Sequence, residues 1–531
     1  MKTITLTSAG NLSLDDIQTI ALDSARVELA DDARARISLG RAVLDDALES
    51  GTRVYGLNTG LGHTRDVEIP RAVLDQYQID IVIGHAAGIG DPLPEPEVRA
   101  IMASRLSGAC RGYSGLSVAT SQHYADMINE GVIPFVPNNS TIGASDLGTM
   151  AAVAAVMIGH GRAFYRGVKM TGAAALAAAG LGPVTLGPKE GLAVVSANSY
   201  SIGVGALALG EVARTLRLAD IAAALSMEAF RSSLSPFDPE VSVARPFTGQ
   251  RVVADNIRAL LTGSYLNDPT QALSLQDALS IRTVAQVHGA AREQHGHAVY
   301  AVENELNGSG DNPMVSPDTK RAISTGNFHP MEIALSFEAL RVALAHVAMI
   351  AERRISNLGS MRWAQRKGDN TELPADAVMT PGIGGYSYAT LSSRIKVLAN
   401  PVTLGIPTLD FGQEDHATAA PQAIDATREQ LRLLDEVLVG EIALSAAILS
   451  WRDDFVLGVG TQPYYDVVIA ASKTEDSDMG ALLVAQVKPV LISMTSRAAH
   501  VLDEPHIPAP APHITDRDSG KAINHELQPS I

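Results

Sequence analysis

The stretch TIGASDLGTM, Thr141–Met150, sets a Gly-Ala-Ser triplet where a Pro/Asn-rich VPNNS ends and an Ala-rich, helix-like run begins. Small residues at a loop-to-helix junction let the backbone turn sharply, so the triplet invites chemistry on the backbone itself. QEDH, Gln413–His416, offers two carboxylates and an imidazole. Adjacent acids and one histidine usually form a hydrogen-bonded corner, because a metal site draws ligands from several segments; no metal is expected. Four other chemistries lack their motifs: there is no phosphate loop, no H-E-x-x-H, no cysteine pair and no G-x-S-x-G elbow.

The elements that must hold these loops read as helices. Apolar residues recur at helical spacing over long Ala/Leu-rich runs, and few stretches alternate as strands do. Gly205–Ser233 reads as a helix apolar nearly all round, as the middle of a bundle requires, and Ile333–Leu358 is similar. A third run opens with Pro421 in a first-turn position and carries Leu434, Leu438 and Ile442 four residues apart. Before residue 205, Gly-rich turns such as YGLNTGLGHTRD and HAAGIGDPLPEPE interrupt shorter helical pieces, which is where functional loops concentrate. The expected organisation is a loop-rich region over 1–205, a long-helix bundle over 206–500 and a polar, Pro-rich tail over 501–531.

Composition narrows the class of function. With 531 residues and 46% hydrophobic content the chain can bury a large core, and its formal charge of −17 argues against nucleic-acid or anionic-membrane partners. The single cysteine, Cys110, excludes an internal disulfide framework and any thiolate-rich metal site. The N-terminus lacks an apolar core of signal-peptide length, and no apolar run of membrane-span length free of charges stands out, so a cytoplasmic protein is expected.

A series of separated motifs resembles the histidine and aromatic amino acid ammonia-lyase and aminomutase family. YGLNTGLG (Tyr55–Gly62) is similar to its catalytic-tyrosine loop and GHAAGIGDPLP (Gly84–Pro94) to its substrate-pocket histidine segment. RGYSG, KEGLAV, SLQDALSIRTVAQVHG, GDNPM, STGNFH and GQEDHA follow in the family's order, so the resemblance covers nearly the whole chain. It implies a mainly α subunit, with a loop-rich N-terminal region packed on a long central helix bundle, and a homotetramer with shared active sites. It also implies an amino-acid-like substrate, and an electrophile, a methylidene-imidazolone, made by cyclising an internal Ala-Ser-Gly.

Site residues follow from the same resemblance. Tyr55 is the implied general base, which requires cationic neighbours to lower a phenol pKa that is otherwise about 10. Arg282 matches a carboxylate-binding arginine and Asn312 a neutral donor beside it. His85 and Phe328 match positions that shape the side-chain pocket, and Glu414 an acidic residue nearby.

Four positions depart from the family pattern. The triad would be Ala144-Ser145-Asp146, with Asp where the family has Gly, as though one glycine were deleted. Ser196 stands where the family has an electrophile-binding Asn, with Asn198 the nearest alternative. Leu279 replaces a second active-site tyrosine, and Arg394 replaces a Glu that faces the amino group. Plain structural roles compete: Tyr55 as a packing corner, His85 as a satisfied core histidine, Arg282 in an ion pair with Asp277, and Arg394 as a solvated helix residue or, if buried, a partner of Glu414.

Three functional readings stand. The four departures favour an enzyme without the electrophile, using Tyr55 as base, Arg282 and Asn312 to hold a carboxylate, and an anionic substrate group opposite Arg394. The second is a conventional ammonia-lyase or aminomutase with the electrophile formed from Ala144, Ser145 and Asp146. The third is an inactive scaffold.

Overall fold

The computed structural model describes residues 2–368, 381–452, 455–472 and 483–497, so the tail expected over 501–531 lies outside the described residues. Four long helices form the centre: Ser199–Phe230, Val284–Leu306, Met331–Gly368 and Ala420–Leu449. The first is buried at every position except Gly210, Glu211, Ala213 and Arg214, so it is the middle of the bundle, as its all-round apolar composition requires. It packs most extensively against Ala420–Leu449, where Leu434, Leu438 and Ile442 are fully buried and Pro421 lies in the first turn. Residue 205 falls inside this helix, and one continuous apolar core runs across it, so the change in composition there is not a break in packing.

Two described helical stretches are long and apolar enough by composition to cross a membrane: Glu190–Phe230 and Met331–Gly359. The first is wholly buried within the chain, which accounts for its composition without a membrane.

Strands are few and short. They form a parallel pair (Thr3–Leu6 with Arg26–Leu29), two antiparallel pairs (Ile89–Pro92 with Pro137–Asn139, Met314–Ser316 with Arg321–Ile323) and one three-stranded antiparallel sheet. Loops between the shorter elements meet at the N-terminal end of Ser199–Phe230. There, the short helices Leu147–Met157 and Glu190–Val195 pack together and bring the Thr141–Asp146 loop to the helix start.

Candidate active site

The loop that opened the sequence question is held from all sides. Gly143 has φ +80°, and a Cβ there would lie 2.3 Å from Thr418 Oγ1 and 3.0 Å from Ala419 N, so no other residue fits. Ser145 (φ 61°) and Asp146 (φ 44°) continue in the left-handed region, a costly conformation for residues with a Cβ. Contacts with neighbouring loops hold it: Ser145 N donates to Phe328 O (3.0 Å), Ala197 N donates to Ser145 O (3.0 Å), and Thr418 Oγ1 donates to Gly143 O (2.8 Å).

Asp146 has become a helix anchor. Its carboxylate is fully buried and accepts from Thr141 Oγ1 (2.7 Å), Ser201 N (3.0 Å) and Ser201 Oγ (3.3 Å), so it sits on the orphan N–H groups that begin Ser199–Phe230. Burial nevertheless outweighs these donors and pushes its pKa from the usual 3.8 up to about 6. A carboxyl whose folded pKa is raised supports folding when protonated; that contribution is complete below about pH 4 and is lost as pH rises through 6. Asp146→Asn, which keeps the acceptor and removes the charge, should therefore gain about 3 kcal/mol relative to the unsubstituted protein between pH 4 and pH 7. Denaturant unfolding of both proteins at the two pH values checks this; a pH-independent difference would refute it.

Ser196 Oγ donates to Ser145 Oγ (3.2 Å), which places Ser196 beside the triplet as the motif alignment implies. Asn198 is not a substitute for the missing asparagine. Its Nδ2 is consumed by Glu305 Oε2 and Asn327 O, both at 3.1 Å, inside the structure at the helix start.

Tyr55 lies on a loop that packs on the Glu190–Val195 helix: a Cβ on Gly56 would meet Leu192 Cδ2 at 2.4 Å. Its phenol oxygen accepts from Gly62 N (2.9 Å). The expectation of cationic neighbours is corrected here. Within one chain the Tyr55 pKa is raised, first by burial, against the Gly62 N–H, with the Asp410 and Glu414 carboxylates adding to the rise and Arg65 opposing it. Glu414 is half-buried and its own pKa is raised by burial and Asp410, with His85 pulling the other way. His85 ends the helix Leu74–His85 with its Nδ1 2.7 Å from Ile81 O, a backbone-satisfied ring whose other nitrogen is left for a ligand. Asn312 Oδ1 accepts from Thr325 N (3.0 Å), which leaves its Nδ2 as a donor, and Phe328 is half-buried beside the triplet.

Tyr55, His85, Ala144, Ser145, Asp146, Ser196, Asn312, Phe328 and Glu414 thus share one end of Ser199–Phe230. Arg282 and Leu279 do not. They occupy a single-turn helix, Leu279–Arg282, beside a pocket lined by Ser233, Gln276 and Asp277, just beyond the other end of the same helix. That helix has 32 residues, so the two clusters are about 45 Å apart within a chain. Arg282 makes no close salt bridge with Asp277, although its charge acts on that carboxyl: its Nη1 donates to Gln276 Oε1 (3.0 Å), and Asp277 accepts from Ser233 N (2.9 Å). Arg282 Nε is buried without a partner, and Leu279 is exposed.

Arg394 shows the plain structural role, that of a solvated helix residue. It lies exposed on Pro381–Leu398 and pairs with Glu429 (3.1 Å), which also pairs with Arg432; within one chain it meets neither Glu414 nor the triplet. The reason is helical geometry: Glu429 is the nearest carboxylate on the helix against which Arg394 packs.

The structure also adds residues that motif reading passed over. His63 and Asp410 pair at 2.6 Å beside Tyr55, and His329 Nε2 lies 2.7 Å from His416 Nδ1. In the latter pair one ring must donate and the other accept, and burial together with His416 lowers the His329 pKa. All but Asp410 lie inside the quoted motifs; only their placement on facing loops signals them.

The family model for aromatic amino acid lyase matches residues 12–469. Histidine ammonia-lyase from Caldanaerobacter subterraneus subsp. tengcongensis is 34% identical over 465 residues, covering 86% of this chain and 90% of the relative. Among solved structures, the ergothioneine-degrading enzyme ergothionase from Treponema denticola, in complex with desmethyl-ergothioneine sulfonic acid, superposes with a TM-score of 0.88 at 28% identity, over 93% of this chain and 99% of that one. Phenylalanine aminomutase from Pantoea agglomerans gives 0.84 at 26% identity, over 93% and 100%.

Proposed function

The chain belongs to the aromatic amino acid lyase family, and we propose that it is a carbon–nitrogen lyase that works on a small amino-acid-like carboxylate without a methylidene-imidazolone. The observation that carries this reading is the use made of Asp146. Ring closure would draw its backbone nitrogen onto the Ala144 carbonyl carbon, yet its side chain is buried and tied by three hydrogen bonds to the start of the central helix. Ser145 Oγ, which would have to leave as water, faces Ser196 rather than an amide. These residues do not fit the ring.

Without an electrophile to activate an amine, the leaving group must be good by itself. A quaternary nitrogen meets that need, because it departs as a neutral tertiary amine. The similarity to ergothionase makes a betaine of this kind, an α-trimethylammonium carboxylate related to ergothioneine, the favoured substrate class. Asp410 and Glu414 beside Tyr55 suit a cation, and the cation in turn lowers the Tyr55 pKa that the unliganded chain holds high. In the elimination, Tyr55 Oη takes a proton from the β carbon, the carbon–carbon double bond forms and the bond from the α carbon to nitrogen breaks. Asn312 Nδ2 and the guanidinium of Arg282 hold the carboxylate.

Because Arg282 lies at the far end of the central helix, the site is completed by another copy. Antiparallel packing of central helices brings one copy's Arg282 to the other's Tyr55, in a homotetramer. Leu335 and Val342, one heptad apart on Met331–Gly368 and about half exposed (51% and 48%), form part of the apolar surface such packing would cover.

Intact-mass and peptide spectrometry tests the first step. The peptide containing Ala144, Ser145 and Asp146 should have its unmodified mass; loss of two waters would overturn the proposal in favour of a conventional ammonia-lyase. Product analysis then distinguishes release of a tertiary amine from release of ammonia.

A further inference from the structure

We propose that Asp410 is a positioning residue that latches the Tyr55 loop through His63, an inference that rests on the reading of Tyr55 as the base. The loop is pinned at its foot by the Thr59–Glu68 bridge, and its tip runs through Gly62, His63 and Thr64. At the tip, Asp410 makes two bonds to one residue: Oδ2 accepts from His63 N (2.9 Å), and Oδ1 lies 2.6 Å from His63 Nδ1, whose N–H donates. The adjacent peptide does the positioning. Gly62 N donates to Tyr55 Oη (2.9 Å), so the carboxylate that fixes the Gly62–His63 peptide also fixes the only hydrogen bond that orients the phenol among the described residues.

The fit leaves no slack. Gly62 has φ +53°, and a Cβ there would lie 2.0 Å from Asp410 Oδ2, so the carboxylate occupies the space that the glycine leaves open. On the other side, Asp410 (φ 45°), Phe411 (φ 53°) and Gly412 (φ 89°) are three successive left-handed residues, the first two with a Cβ. Such a run is held only where surrounding contacts over-determine it. Here the contacts are the two His63 bonds, the Leu409–Glu414 bridge that closes the turn, and the Phe411 ring set edge-on to the His63 imidazole at 4.8 Å. The bridge partner is Glu414, so one strained turn presents the acidic wall of the site and holds the base in line with it.

In consequence, the Gly62 N–H is preset to stabilise the phenolate that proton abstraction requires, without a cost of reorganisation at that moment. Asp410 need not touch the substrate for this; its effect passes through the loop.

The test uses the full-length protein and two readouts. Trypsin cleavage after the exposed Arg65, followed by peptide mapping, reports whether the tip is held, and steady-state kinetics report whether holding it matters. Asp410→Ala should speed cleavage after Arg65 by about fivefold or more and lower kcat by about tenfold or more, with KM changed less than about twofold. Asp410→Asn, which still offers Oδ1 to His63 N, should retain most of both; an Asn variant as damaged as the Ala variant would mean that the carboxylate acts on the substrate directly and would overturn the positioning role. His63→Ala, which loses one of the two bonds, should fall between them. Unchanged cleavage in Asp410→Ala, or faster cleavage with kcat unchanged, also overturns it. Tyr55→Phe keeps the latch and should keep the Arg65 protection, so activity in that variant would discard Tyr55 as the base while leaving the proteolysis result to judge the latch separately.

Discussion

Tyr55→Phe should lower kcat by about 10²–10⁴-fold, the usual contribution of a positioned general base, while leaving KM and the unfolding midpoint nearly unchanged. The substitution removes one oxygen that accepts a single hydrogen bond, from Gly62 N, at a half-buried position, so little folding free energy depends on it. What is lost is the group that the proposed elimination uses to take the proton from the β carbon. His85 and the Asp410 and Glu414 carboxylates surround the site, but burial and their mutual repulsion raise the Glu414 pKa and keep the phenol protonated in the unliganded chain. The rate should therefore rise with pH as Tyr55 ionises in the substrate complex, and that limb of the profile should vanish in the Phe variant. Activity within about threefold of the unsubstituted enzyme would place the base elsewhere.

The helical bundle was legible because its signal is redundant. Ser199–Phe230 is apolar nearly all round along most of its length, and no strand pattern competes with it. Its start lies six residues before the Gly205 that the apolar run suggests, since Asn198 does not cap it by side chain and the capping carboxylate comes from Asp146, fifty-odd positions earlier in the chain. Long-range capping leaves no local trace. The same reason explains how Asp146 could be recognised as out of place in a reactive triplet but not as a helix anchor.

At the site, motif order placed Tyr55, His85, Ser145, Ser196, Asn312, Phe328 and Glu414 on one set of loops. Arg394, also singled out by motif position, was left between a solvated helix residue and a buried partner of Glu414; within one chain it is exposed, and Glu429 on the helix packed against it takes the charge. Asp410 carries no sequence signal, because its partner, His63, is nearly 350 residues away and a turn of left-handed residues presents it to that partner.

Assayed at substrate concentrations well below KM, Arg282→Ala and Tyr55→Phe should each be nearly inactive as pure proteins, yet mixing their unfolded or dissociated chains and reassembling them should recover activity. A carboxylate bound by a guanidinium through charge-assisted hydrogen bonds is worth about 1.5–3 kcal/mol, so Arg282→Ala alone should raise KM by about 10- to 100-fold. Within one chain, Arg282 and Tyr55 stand at opposite ends of a 32-residue helix, about 45 Å apart, far beyond the reach of a small substrate. They can serve one substrate only if copies pack with their central helices antiparallel. In an equal random mixture, a given site has an intact tyrosine in half of cases and, independently, an intact arginine in half, so about a quarter of the sites should be whole. Recovery near that fraction requires two chains per site. If instead both groups act from the same chain, every mixed site carries one lesion and reassembly recovers nothing. The unsatisfied, buried Nε of Arg282 and the exposed Leu279 next to it are what a half-built pocket looks like before its partner arrives, and the complementation measures whether the partner is another copy of the same chain.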